Sequence, residues 1–448
     1  MTGALTTAPI ILGSRIFIED DNGSVAAIDR ATGQVLWRSA RTGTTIGPNG
    51  VAVGWGDVFA ATPNGVLALN ASTGALVWSR RLTTTPGEGL DIQPSVVDHR
   101  VLVATVPVSL GGIYDGGSRG KLFALNAGTG ATDWMFETVA SPDLWGNPAV
   151  NSGGGAWYPP AVDAAANRVY WGTANPGPFP GTAQYPNGTS RPGANLYTDS
   201  TVALDLKTGR LLWYHQATPH DLFDRDFVHT MIVDLPGAAR RQVIVGTGKA
   251  GVVFGFDPSS GRLLWRTPVG EHLHDNVSAL AGPTTIQPGT FGGVLTPPAS
   301  AAGVVYVATL NAPDTLYPNQ TAYFGGQVGT MPGEVVAINA ATGKTIWDTR
   351  VPGDPTGAAT VVNNLVLTAT LQGSLVAIDR TSGRILWNHT LPGAVNGWMS
   401  VSGDLVIIPI GAAHPPEVLT LRLQGGSGGS SPSRTTSSWF GRPRGFSR

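Results

Sequence analysis

Val25-Ala26-Ala27-Ile28-Asp29-Arg30-Ala31-Thr32-Gly33-Gln34-Val35-Leu36-Trp37 reads as a strand, a tight turn and a second strand, and the phrase recurs seven times along the chain. Its Asp or Asn and its Trp fall at Asp29/Trp37, Asn70/Trp78, Asn126/Trp134, Asp205/Trp213, Asp257/Trp265, Asn339/Trp347 and Asp379/Trp387, always 8 residues apart. Asp and Asn can hydrogen-bond the backbone two residues on, and the Gly after each Thr or Ser accepts positive φ without a Cβ clash, so every turn is specified locally. Consecutive Trp residues lie 41, 56, 79, 52, 82 and 40 apart. The intervals near 40 match one four-stranded propeller blade, and the longer ones carry their excess in loops. A small sheet cannot bury both faces alone, whereas a large indole repeated once per sheet can wedge against the next blade. The expected fold is therefore an all-β, eight-bladed β-propeller of four-stranded antiparallel blades over 1–424, with one blade incomplete or closed by the termini. Strand-like Leu405 to Ile410 and Val418 to Leu423 follow the last phrase and are expected to pair with N-terminal strands.

Composition sets limits on function. The chain has 448 residues, 42% of them hydrophobic, enough for one large closed ring, and its Gly 61 and Pro 34 suit a molecule built of turns. Net charge is -1, and setting aside Arg434, Arg442, Arg444 and Arg448 leaves 24 basic against 29 acidic residues. Such a body has no attractive field for nucleic acid. Zero cysteines exclude disulfides, thiolate metal sites and haem attachment, so electrons in any redox reaction would leave through a separate acceptor. No apolar run approaches the roughly 18 residues of a membrane-spanning helix. Met1 to Gly13 lack a basic n-region and lead straight into strand-like Arg15 to Ile18, so they read as the edge of a first blade, not as a secretory signal. Beyond Gln424 the composition turns to Gly, Ser and Arg, and 425–448 is expected to be a disordered tail.

Repeats explain stability, so the places that interrupt them are the candidates for chemistry. One is Thr218-Pro219-His220-Asp221-Leu222-Phe223-Asp224-Arg225-Asp226, with three carboxylates in six residues. Such density is costly unless solvated, paired or coordinating a cation. A second runs from Gly153 through Trp157-Tyr158 to Gly172-Thr173-Ala174-Asn175-Pro176, and a third is Tyr114-Asp115-Gly116-Gly117-Ser118-Arg119. His215, His220, His229, His272 and His274 show no zinc-site spacing and read as loop or surface residues. Trp145, Trp171 and Trp398, outside the repeat, read as core.

At these interruptions the chain resembles the pyrroloquinoline quinone (PQQ) dependent alcohol dehydrogenases and their quinoprotein-like propeller relatives, and the repeated phrase is that family's tryptophan-docking motif. The resemblance covers nearly all of residues 4–424 and places the catalytic base on Asp224, the metal-binding amide on Asn175, the indole beneath the quinone on Trp157 and the cation on the quinone oxygens on Lys249. A metal-binding carboxylate falls on Asp115, and Asp226 matches the pattern associated with lanthanide ions. The implied cofactors are PQQ with calcium or a lanthanide, the implied substrate is a small alcohol, and the implied location is extracytoplasmic. In the implied reaction a hard cation polarises the quinone carbonyl while Asp224 takes the alcohol proton, which requires burial or Asp221 and Asp226 to raise its pKa.

The chain also departs from the family pattern. The family's adjacent-cysteine pair aligns near Gly43-Thr44, and the cofactor-facing Arg that follows it falls near Asn49. Asp115 is one methylene shorter than the family's Glu, and Asp91 replaces a small hydroxyl residue beside the cofactor. An anion at Asp91 is expected to repel a tricarboxylate. The competing expectation is a noncatalytic propeller whose rim binds proteins or envelope components.

Overall fold

Eight antiparallel sheets of four strands follow one another along the computed structural model, which describes residues 4–45, 47–109, 112–113, 116–237, 241–321, 329, 331–411, 416–422 and 434–438. The blades span 10–38, 51–81, 95–137, 161–216, 229–268, 299–351, 360–390 and 400–438. In each, the strands pair in chain order, and the second and third are almost wholly buried, as in Asp57–Thr62 and Gly65–Asn70 of blade 2. The surplus within and between blades forms three two-stranded ribbons, including Ser152–Gly153 with Pro176–Gly177, and two 3-10 turns among the described residues. No helix among them is long and apolar enough to cross a membrane.

The repeated phrase builds both the turn and the joint to the next blade. Asp29 Oδ1 accepts from the backbone N–H of Ala31 at 3.0 Å and of Thr32 at 2.8 Å, closing the turn, and the other copies repeat the pattern. Each Trp pairs across the outer hairpin with a small residue, as Ala27 with Trp37 and Gly255 with Trp265, next to a one-residue shift in register. Its indole N–H then reaches into the next blade. Trp37 donates to Ala71 O at 3.1 Å, Trp78 to Ala127 O at 2.8 Å, Trp134 to Leu206 O at 2.8 Å, Trp213 to Pro258 O at 3.0 Å, Trp265 to Ala340 O at 2.8 Å and Trp347 to Arg380 O at 3.0 Å. Every acceptor is the residue just after the next phrase's Asp or Asn, so each copy docks onto the copy that follows.

Closure of the ring differs from the sequence expectation. No blade is incomplete, and N-terminal strands do not enter blade 8, whose four strands all come from the C-terminal side. Blades 8 and 1 meet face to face, with Ile407 and Val418 packed against Leu5, Ile16, Ile18, Ala26 and Ile28. Arg30 Nη1 donates to Ser402 Oγ at 3.0 Å, and Ser400 Oγ donates to the Pro9 carbonyl. The fourth strand of blade 8, Arg434–Ser438, lies inside the stretch read as a tail. An outer strand adds through main-chain hydrogen bonds, so its polar composition concealed it. The remainder of 425–448 lies outside the described residues.

Candidate active site

A cavity of about 440 Å³ opens at one end of the ring axis, where the segments entering the innermost strands converge. All eight blades contribute from that segment: Thr6, Pro48, Asp91, Trp157, Asp226, Thr296, Thr356 and Trp398, in order from blade 1 to blade 8. Connections between second and third strands add Ala174, Asn175, Lys249, Leu310 and Leu371.

The 218–226 loop is shaped by Asp221, whose two carboxylate oxygens accept from the backbone N–H of Phe223 at 2.8 Å and of Arg225 at 2.7 Å. This turn places Asp224 at φ 60, a left-handed conformation that a non-glycine residue holds only at a cost. Lys249 follows the strand Arg241–Thr247, and its N–H donates to Asp226 O at 3.1 Å. The approach requires Gly248, because a Cβ there would lie 1.7 Å from that carbonyl. Lys249 Nζ consequently sits 2.8 Å from Asp224 Oδ2 and 2.6 Å from Asp226 Oδ2. Its ammonium lies 5.2 Å from the Trp157 ring and 5.8 Å from Phe291. Asn175 joins the group through its backbone N–H, which donates to Asp226 Oδ1 at 2.9 Å.

One ammonium thus faces two buried carboxyls. Burial pushes Lys249 down, but Asp224 and Asp226 more than offset it and hold the ammonium charged above its ordinary range. Burial holds Asp224 well above the carboxylate range against the pull of Lys249, and Asp226 and Asp221 reinforce the rise. Asp224 Oδ1 is buried without a hydrogen-bond partner. Asp199 lies behind this group, wholly buried with both carboxylate oxygens unpartnered, and burial together with Asp221, Asp226 and Asp224 raises it well above its ordinary value.

Parts of this chain match known proteins. Residues 84–282 match the family model described as glucose/ethanol/alcohol dehydrogenase, beta-propeller domain. Quinohemoprotein alcohol dehydrogenase ADH IIB of Pseudomonas putida is 31% identical over 297 residues, 59% of this chain and 41% of the relative. Over 84–282 and in its overall fold the chain is similar to the quinoprotein alcohol dehydrogenase β-propellers. The match spans about two fifths of that relative's length. The crystal structure of quinohemoprotein alcohol dehydrogenase from Comamonas testosteroni superposes with a TM-score of 0.77 at 23% identity, covering 92% of this propeller and 71% of that chain. A europium-containing methanol dehydrogenase gives 0.71 at 20% identity, covering 92% and 84%. Residues 306–427 of the propeller match a second family model, that of the outer membrane protein assembly factor BamB.

Of the residues singled out in this quinoprotein-like sequence, Trp157, Asn175, Asp226, Lys249 and Asp91 line the one axial cavity. Asp224 does not line it but is tied to Lys249 behind it. Asn49 follows the lining Pro48, is fully buried, and leaves both side-chain amide atoms without partners. Asp115 lies outside the described residues. Trp398, read as core, instead lines the cavity, its ring 5.7 Å from that of Tyr158, while Trp171 is core. Its position outside the phrase, in the entry segment of a blade that has no phrase, was the available signal. Asp199 had none, since a single acid before a strand carries no pattern. The histidines do not cluster here: His272 pairs with Asp275, and His229 is buried against Tyr158 at 4.2 Å.

The residues fit a planar ring and a hard cation. Trp157 and Trp398 give an aromatic lining suited to a flat ring, and the buried Asp224 oxygen without a hydrogen-bond partner, with the Asp226 carboxylate on the same ammonium, offers the kind of oxygen ligand a hard cation takes. No three His, Cys, Asp or Glu converge on one point among the described residues, so such a cation would rest on two carboxylates and an amide.

Proposed function

We propose that this propeller is a PQQ-dependent alcohol dehydrogenase-like oxidoreductase, passing hydride from a small alcohol to PQQ with Asp224 as general base and a separate protein or dye as electron acceptor. The observation carrying this reading is the convergence of Trp157, Asn175, Asp226 and Lys249 on one axial cavity, with Asp224 in contact with Lys249. When bound, PQQ supplies the electrophilic carbon that accepts hydride, made more so by a calcium or lanthanide ion held by Asn175, Asp224 and Asp226. Trp157 forms a flat wall that orients a planar ring. Lys249, which lines the cavity while paired with Asp224 and Asp226, would set its positive charge beside the oxygens of a bound ligand. Asp224 in its ionised form would take the alcohol proton on Oδ1, the oxygen that Lys249 leaves without a partner, and its raised basicity suits proton abstraction better than that of an ordinary carboxylate.

The test is reconstitution of the purified protein with PQQ plus calcium or a lanthanide, reading quinone absorbance and alcohol-dependent dye reduction. Asp224→Asn is expected to bind PQQ and keep the fold while losing turnover, and retained turnover would refute the base assignment. A second reading, a noncatalytic scaffold, is favoured by the BamB family match over 306–427. A protein that binds no PQQ under any of these conditions is that scaffold.

A further inference from the structure

Asp91 stands on the segment entering blade 3 and lines the same cavity as Trp157 and Lys249. It is 8% exposed, and its Oδ1 is buried with no hydrogen-bond partner. Among the described lining residues Lys249 is the one Lys or Arg, and it is already held by Asp224 and Asp226. An acidic ligand entering this cavity therefore meets no uncommitted cation, and its carboxylates need hydrogen-bond donors instead.

We propose that Asp91 receives the acidic edge of a planar polycarboxylate in this cavity as a hydrogen-bond donor, so that a carboxylic acid, not a guanidinium, selects the ligand. The inference rests on the reading of the cavity as a quinone site and names the group that recognises the ligand there.

Donation requires Asp91 to keep its proton near neutrality, and its surroundings favour that. Burial and then Asp21 hold it well above the carboxylate range. From blade 1, Asp21 accepts from Thr6 Oγ1 at 2.8 Å, Thr6 itself lining the cavity, and burial pushes Asp21 to about 7. Behind it Glu19 and Asp20 are raised, by burial above all, with Arg38 and Arg41 pulling Asp20 down. From blade 4, Tyr158 faces Asp91 and stays neutral, raised by burial, with its hydroxyl donating to Leu295 O at 2.9 Å. From blade 5 come Lys249 and Asp226, which pair with each other. The acids around Asp91 thus share too little positive charge to ionise together. An acid–carboxylate hydrogen bond is short and strong, and ionisation of the acid turns the contact into a repulsion of like charges. This removes the expected clash between Asp91 and a tricarboxylate, but only while the proton stays.

The experiment titrates PQQ, with calcium at fixed concentration, into the full-length protein at about pH 5.5 and pH 8.5 and follows binding by equilibrium dialysis. Carboxylates of the ligand stay ionised over this range. Binding is expected to weaken by about tenfold or more at the higher pH, the loss that follows when a proton needed for binding has a pKa at least one unit below that pH. In Asp91→Asn, which keeps a donor but cannot titrate, affinity should stay within about twofold across the range, with Asp224, Asp226 and Lys249 unchanged. The trimethyl ester of PQQ, lacking the anionic edge, should bind the unsubstituted protein equally at both pH values. Equal PQQ affinity at both pH values, or the same pH slope in Asp91→Asn, overturns this inference alone. Absence of PQQ binding at every pH overturns it together with the cofactor reading.

Discussion

Lys249 carries more of the site than its single charge implies, because two buried carboxyls share its ammonium. Replacing it with the nearly isosteric Met leaves both without a counter-charge, and breaking a buried pair by removing one partner costs about 3–5 kcal/mol. Lys249→Met is therefore expected to lower the urea midpoint markedly at pH 8, with partial recovery at pH 5, where Asp224, raised by burial, keeps its proton. A loss of equal size at both pH values would mean that the side chain acts by packing alone. The contact also shows what was legible in the sequence. Asp224, Asp226, Asn175 and Trp157 all stand where the repeat is interrupted, and a residue with no part in the joint between blades is free to serve another purpose. The bridge from Lys249 to Asp224 spans 25 residues and depends on the close approach of Gly248 to Asp226, which no local pattern announces. Trp398 was misread for the same reason: an indole outside the phrase is core or cavity wall depending on which way its segment turns.

At the scale of a blade, the docking Gly meets two demands at once. Gly209 has φ 71, and a Cβ on it would lie 2.7 Å from the Trp134 ring of the preceding blade. Gly403 has φ 62 but nothing within 4 Å of the added atom. Both Ala variants incur the left-handed penalty of about 1–2 kcal/mol, and Gly209→Ala adds overpacking of about 1–3 kcal/mol. Chemical denaturation should rank Gly209→Ala as the more destabilised of the two; equal midpoints would mean that the indole shifts freely and does not lock the blades. Seven blades could be read from this phrase because its Asp or Asn, Gly and Trp do local and inter-blade work together. Blade 8 could not. Thr435, paired with Thr420, stands where the other seven blades carry Trp, and a gap of about 50 Å³ lined by Arg30, Gly33, Thr420 and Arg422 marks the seam with blade 1. With no phrase in blade 8 to receive it, Trp387 is 36% exposed, against 7% for Trp134.

Across the whole molecule, the ring gathers acids at its axis and buries them. Glu19, Asp91, Asp199 and Asp224 are held well above their ordinary values, chiefly by burial, and Asp21 is pushed to about 7. Each keeps a proton in the native state over a pH range where the unfolded chain has lost it. In that range the native state binds more protons than the unfolded state, so stability falls as pH rises. His229 works in the opposite direction, since burial pushes it to about 3 and its neutral form is favoured; its contribution is half-run at about pH 6.5 and complete about one unit higher, once the unfolded histidine has lost its charge. Between about pH 6.5 and pH 8 the several raised acids outweigh what remains of this one histidine and decide the sign. The melting temperature of the protein freed of metal and cofactor should therefore drop over that interval, and Asp199→Asn, which removes one such proton without touching the cavity lining, should make the drop shallower. Calcium added at pH 8 should recover part of it, because a cation at Asp224 and Asp226 replaces the missing positive charge. A melting temperature that holds level or climbs from pH 6.5 to 8 would mean that the axial acids are already ionised in the folded ring, leaving Asp91 no proton to donate.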